Sequence, residues 1–165
     1  MTKTEDFLME AFAGESQANR KYTVFAAQAD KEGFAQAAKL FRAAAEAEAV
    51  HAATHLRALK AIKTTKENLR EAIVGETHEF KEMYPEMIAT AKAEGARDAE
   101  RSFNYANAVE EYHARLYHDI LEGLETTTES YPYFVCPVCG MTVEREAPEK
   151  CPVCGVKGSM FKKVE

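Results

Sequence analysis

The stretch AEAEAVHA, residues 45–52, decides the fold. It lies in an alanine-rich run with helical periodicity, yet its Glu48 and His51 are three residues apart and so share one face, about one turn from each other. Followed outward in steps of three and four, that face reads Ala37, Phe41, Ala44, Glu48, His51, His55, Leu59. An apolar stripe is broken at its middle by an acid and imidazoles. Three more segments show the same interruption: Leu8, Phe12, Glu15, Asn19, Tyr22, Phe25; Leu69, Ile73, Glu76, Glu79, Met83, Met87; and Phe103, Ala106, Glu110, His113, Tyr117, Ile120, Leu124. Periodicity of this kind predicts four amphipathic helices whose acids point inward.

Short breakers separate the helices: DKEG (30–33), KTT (63–65) and EG (94–95). Thr2 with Glu5, and Thr64 with Glu67, have the spacing of capping boxes, and Gly33 and Gly95 suit helix C-termini. Pro85 removes a hydrogen bond and predicts a kink in the third helix.

The chain also repeats itself. Gly14-Glu15-Ser16 recurs as Gly75-Glu76-Thr77 after 61 residues, and EAVH (48–51) as EEYH (110–113) after 62. It reads as a duplicated helical hairpin, each copy bringing one Glu and one Glu-x-x-His. The midpoint of Glu15 and Glu48 falls inside DKEG, and that of Glu76 and Glu110 beside Gly95. Each pair therefore meets at one level of its hairpin.

Burying five carboxylates together without compensation costs several kcal/mol per ion. Two divalent cations nearly balance that charge, and one Glu plus Glu-x-x-His used twice is the pattern of carboxylate-bridged dinuclear sites in helix bundles. A single Glu-x-x-His is usually a surface coincidence; two at matching levels are not. His55 is expected to be a packed core residue, and His78 and His118 to face solvent. Tyr22 and Tyr84 lie within two turns of ligand positions, where second-layer hydrogen bonding and plain packing are equally open.

Beyond TTTESYPY (126–133) the chain is too short to bury a core without a staple. VCPVCG (135–140) and KCPVCG (150–155) give Cys-x2-Cys-x11-Cys-x2-Cys, a four-thiolate metal pattern of high specificity. Each Cys-Pro-x-Cys-Gly forms a knuckle, with Gly allowing positive φ. Zinc and iron both fit; beside a dinuclear site, iron is the better choice.

A net charge of −6, with no basic stretch interleaved with aromatics, argues against nucleic acid or an anionic membrane as partner. No run approaches the ~18 apolar residues of a spanning helix, and the N-terminus lacks an apolar signal core, so a cytoplasmic location is expected. In that compartment cysteines are poor candidates for disulfides.

Taken together, AFAGESQANRKY, AEAEAVHA, GETHEFKEMYP, VEEYHARLY and the two CPVCG knuckles resemble the rubrerythrins, over nearly the whole chain. The resemblance implies an all-α ferritin-like four-helix bundle with a small rubredoxin-like domain: residues 1–125 as the diiron bundle, 126–133 as linker and 134–165 as the rubredoxin-like iron domain. It implies Glu15, Glu48, His51, Glu76, Glu79, Glu110 and His113 as ligands of two iron ions, and Cys136, Cys139, Cys151 and Cys154 as ligands of a third. It places Tyr22 and Tyr84 beside the diiron site. Glu79, whose counterpart in the first repeat is Ala18, resembles rubrerythrin rather than ferritin. The implied activity is reduction of hydrogen peroxide to water, with electrons from an external donor such as rubredoxin and its NAD(P)H-dependent reductase. No Gly-x-Gly-x-x-Gly occurs to bind the nucleotide in this chain. The competing readings are a ferroxidase or iron-storage protein, and a redox-inert zinc protein.

In the ferritin-like arrangement the second and third helices run parallel, so their connection must span ~38 Å for a 25-residue helix. About six residues reach only ~20 Å. Exchange of helix pairs between chains of a homodimer, or a larger assembly, is therefore expected, as in short members of the family. The eight-residue linker reaches at most ~28 Å, so the tail could dock on its own bundle or a neighbour's.

Overall fold

Both predicted capping boxes form. In the computed structural model, which describes residues 2–165, Thr2 N–H donates to Glu5 Oε2 at 2.7 Å while Thr2 Oγ1 accepts from Glu5 N–H at 3.3 Å. Thr64 and Glu67 repeat the exchange at 3.1 and 3.3 Å. Each box starts one of two compact units, which divide after Lys63.

The first unit is a hairpin of α1 (Lys3–Lys31) and α2 (Ala35–Ala58). Gly33, at φ +83°, turns the chain: its N–H donates to Asp30 O and the next residue's N–H to Ala29 O. This is the paired closure that a left-handed residue allows after a helix. The helices bury alanines between them, Ala26 and Ala29 of α1 and Ala38, Ala45 and Ala52 of α2. Small side chains permit close backbones, and Asn19 Nδ2 reaches across to Ala45 O at 2.7 Å. The acid-bearing seam expected at the interior lies beside this alanine strip, half-buried, while Phe25 and His51 on it are exposed. A hairpin closes only the flank where its own two helices touch.

The connection after α2 runs through Lys60, held left-handed at φ 54°, with N–H bonds from Lys60 and Ala61 closing the helix end. The second unit begins with α3 (Thr65–His78), continues through a π-helical turn (Glu79–Met83) into α4 (Tyr84–Glu94), turns at Gly95 (φ +69°) and returns as α5 (Arg97–Gly123). The kink expected at Pro85 is thus a change of hydrogen-bond step. Tyr84 N–H reaches back five residues to Glu79 O, and Pro85 then sits in the first turn of α4, where a missing N–H leaves no gap in the ladder.

After α5 the chain forms β1 (Tyr133–Val135), β2 (Thr142–Glu144) and β3 (Lys162–Val164), an antiparallel sheet in the order β2-β1-β3, with Phe134 opposite Val143 and Lys163. Mostly helical, with a small three-stranded module holding four cysteines, the fold has the expected class. The module's core of Cys136, Met141 and Cys151 is completed by Val109 of α5, with Tyr112 partly buried against it. The segment before β1 is fastened down. Glu129 accepts from both terminal nitrogens of Arg145 at 2.6 and 2.8 Å, Tyr131 Oη donates to Glu144 at 2.6 Å, and the Arg145 guanidinium lies 4.3 Å from the Tyr131 ring centre. Among the described residues no helix is long and apolar enough to cross a membrane.

Candidate metal sites

Among the described residues, three groups of side chains bring potential ligand atoms within 4.8 Å of one another: Glu15, Glu48 and His51; Glu76, Glu110 and His113; and the four cysteines. The first lies in the first unit. α1 supplies Glu15, and one turn of α2 supplies Glu48 and His51, whose Nδ1 is 2.9 Å from Glu48 and 3.9 Å from Glu15. The His51 side chain is 55% exposed.

The second group has the same chain logic and a tighter setting. His113 Nδ1 is 2.7 Å from Glu110 and 3.5 Å from Glu76, and the side chain is 26% exposed. Burial, then the hydrogen bond and charge of Glu110, push the Glu76 carboxyl up to about 7. Burial also works to raise Glu110, but hydrogen bonds from His113 and Glu76 outweigh it and hold that carboxyl below its ordinary range. The hydrogen bond to Glu110 raises His113 against the opposing effect of burial. These are the signs expected of acids packed together with one base between them.

Glu79 opens the π turn outside this triad but close to it: burial and then the Glu110 charge raise its carboxyl. Tyr84 and Tyr117 feel the same acids. Burial, followed for Tyr84 by Glu79, Glu110 and Glu76 and for Tyr117 by Glu76 and Glu110, keeps both phenols protonated above their usual range. Tyr22 packs instead with Phe25 and Phe41, at ring separations of 6.3 and 6.1 Å. His78 and His118 are exposed, as expected, and His55 is half-buried.

The cysteine knuckles are near copies. Cys136 N–H donates to Met141 O and Gly140 N–H to Cys136 O; Cys151 N–H donates to Val156 O and Gly155 N–H to Cys151 O, all between 2.8 and 3.0 Å. Gly140 and Gly155 take φ +85° and +76°. The Sγ atoms of Cys136 and Cys154, and of Cys139 and Cys151, are 3.5 Å apart. A tetrahedral ion with ~2.3 Å bonds to sulfur needs edges of ~3.8 Å, so the four thiols fit one.

Two neighbours of the second triad lie outside the sequence-based set. Tyr117 stood on the α5 seam without an assigned role; its place one turn beyond His113 was the available signal. Thr142 carried none: its Oγ1 lies 3.0 Å from His113 Nε2 across 29 residues of chain.

A family model described as Rubrerythrin matches residues 6–121, and one described as Rubrerythrin, rubredoxin-like domain matches residues 134–162. The chain is 36% identical to Rubrerythrin-2 of Clostridium acetobutylicum, over 96% of this chain and 95% of that protein. It is 34% identical to the rubrerythrin of Nitratidesulfovibrio vulgaris, over 93% and 90%. The solved structure of nigerythrin in its fully reduced, all-ferrous state aligns with a TM-score of 0.61 at 30% identity, covering 99% of this chain and 88% of that one.

Proposed function

The chain belongs to the rubrerythrin family, and from that premise we propose that it is a non-haem iron peroxidase, reducing hydrogen peroxide to water at a diiron site with electrons delivered through a four-cysteine iron. One observation carries the reading. Two clusters of one Glu plus Glu-x-x-His stand in a chain whose four-thiolate module packs on the helix that bears His113. A storage protein has no use for a built-in electron carrier.

In this reading residues 1–125 are the diiron bundle, 126–133 the linker and 134–165 the rubredoxin-like domain. Glu15, Glu48, His51, Glu76, Glu79, Glu110 and His113 hold two iron ions, and Cys136, Cys139, Cys151 and Cys154 a third. When bound, the ferrous pair supplies two electrons together with Lewis acidity, so that O–O cleavage releases no radical. The carboxylates would balance the ions' charge, with Glu79 contributing from outside the tight triad. The Tyr84 and Tyr117 hydroxyls hold protons near the acids, and Tyr22 would line the site from the first hairpin. Reducing equivalents come from an external donor such as rubredoxin with its NAD(P)H-dependent reductase.

The six residues between Ala58 and Thr65 reach ~20 Å, short of the ~38 Å that a parallel crossing needs. Each diiron bundle therefore takes its first hairpin from one chain and its second from a partner chain. Co-expressing Glu48→Ala and Glu110→Ala chains tests this. Exchanged dimers contain one bundle with every ligand intact and regain activity, whereas unexchanged ones stay inactive.

The test of function is anaerobic addition of peroxide to the reduced protein. Oxidation of two irons per peroxide, followed by re-reduction through the red four-cysteine centre, is expected. Rapid oxidation by dioxygen but not by peroxide would instead make it a ferroxidase, and a colourless protein containing only zinc would defeat both.

A further inference from the structure

His113 is held from two sides. Its Nδ1 faces Glu110 and Glu76 at 2.7 and 3.5 Å, and its Nε2 lies 3.0 Å from Oγ1 of Thr142, the first residue of β2 in the cysteine module. A threonine hydroxyl has one proton, and Thr142 donates it to Gly140 O at 3.1 Å. Its oxygen is left to accept, so the partner nitrogen must carry hydrogen. In the metal-free protein Nδ1–H donates to Glu110 at 2.7 Å; a metal would displace that proton alone, and the one held at Nε2 would leave the Nδ1 lone pair facing the acids.

We propose that Thr142 is a positioning residue of the carboxylate–histidine site: it holds His113 in the Nε2–H form and sets the ring so that Nδ1 is offered to a metal bound by Glu76 and Glu110. The proposal rests on the reading of His113 as an iron ligand. The hydroxyl itself is rigidly placed. Gly140, its acceptor, closes the first knuckle with its N–H on Cys136 O at 3.0 Å, and Cys136 N–H is bound to Met141 O at 2.8 Å. Cys136 and Met141 are each only 2% exposed. The turn that sets two of the thiols therefore also sets the imidazole, and filling the four-cysteine site stiffens the support of His113.

The experiment uses the full chain with zinc in the four-cysteine site and compares wild type, Thr142→Val and Thr142→Ser. Nitrogen-15 spectra report the His113 ring, and Co2+ titration followed by its d–d absorption reports the carboxylate–histidine site. In the wild type the Nε2 proton is expected to be visible and slow to exchange. Thr142→Val should lose it and weaken Co2+ binding by about 10- to 100-fold, the usual cost of removing a partner behind a ligating histidine. Thr142→Ser, which keeps the hydroxyl, should restore both. An unchanged Nε2 proton and Co2+ affinity in Thr142→Val, or a Ser variant as impaired as the Val one, would overturn the proposal. If Co2+ leaves the His113 signals of the wild type untouched while its Nε2 proton still depends on Thr142, the ligand reading fails and the tautomer assignment stands.

Discussion

Glu15, Glu48 and His51 form one triad and Glu76, Glu110 and His113 another, by the same helical arithmetic; yet the histidine of the first is 55% exposed and that of the second 26%. Within a single chain the first hairpin covers its triad only on the flank of its own alanines. The second adds a folded module against α5, which buries Val109 and puts a hydroxyl on His113 Nε2. Spacing along a helix determines which groups converge. Their protonation and rigidity depend on what else the chain brings to that face.

The sharpest way to break this comparison is to remove each histidine from metal-free protein. His113→Ala leaves Glu76 and Glu110 facing each other in a half-buried setting and should cost about 1–2 kcal/mol, less than a fully buried pair because solvent screens it. In dissociated chains His51→Ala should stay within about 0.5 kcal/mol, because its own chain leaves that side chain exposed. Urea denaturation of both variants measures the difference, and equal losses would mean that the two settings do not differ in energy.

A smaller effect should appear on titration. Glu76, at about 7, and His113, above 6.5, both hold protons more tightly folded than unfolded. Their contribution is full below the unfolded values and is lost as pH rises through the folded ones. Glu110 is shifted the other way, and its contribution is lost as pH falls below 4.5. The metal-free protein should therefore melt at a lower temperature at about pH 8 than at about pH 5.5. Glu76→Gln should flatten that slope, and so should bound metal, which replaces the protons.

The smallest effect concerns the fastening of the module. Arg145→Ala removes the two-pronged grip on Glu129 and the stack on Tyr131, at a small cost in global stability, since the pair is exposed and screened by solvent. Hydrogen exchange should quicken in β1 and at the His113 Nε2 proton while α1 and α2 are unaffected. Unchanged exchange at His113 would show that the α5 packing alone holds the module in place.

Much of this is legible in the sequence. Glu48 with His51 and Glu110 with His113 are local patterns, governed by the helix repeat; Thr2, Thr64, Gly33 and Gly95 mark ends through chemistry confined to a few residues. The four cysteines carry their geometry in their spacing. The half-burial of the acid seams was not legible, because it depends on which flank of a hairpin its own partner covers. Neither were Thr142 on His113 or Arg145 on Glu129, contacts across 29 and 16 residues that leave no periodic trace. Pro85 announced a disturbance, but the choice of a π turn over a bend lies in how the backbone ladder recovers its step.

That π turn also bears on ancestry. Glu15 stands 18 residues before the left-handed Gly33, and Glu76 stands 19 before Gly95, while Glu48 and Glu110 each follow their glycine by 15. The surplus residue is confined to the arm containing Glu79–Met83. A helix that gains one codon must rotate everything beyond it by about 100°, unless one turn widens to swallow the newcomer. Here the widening begins at Glu79, opposite Ala18 in the sister arm, so the one-residue difference between the arms coincides with the acid that makes the two halves unequal.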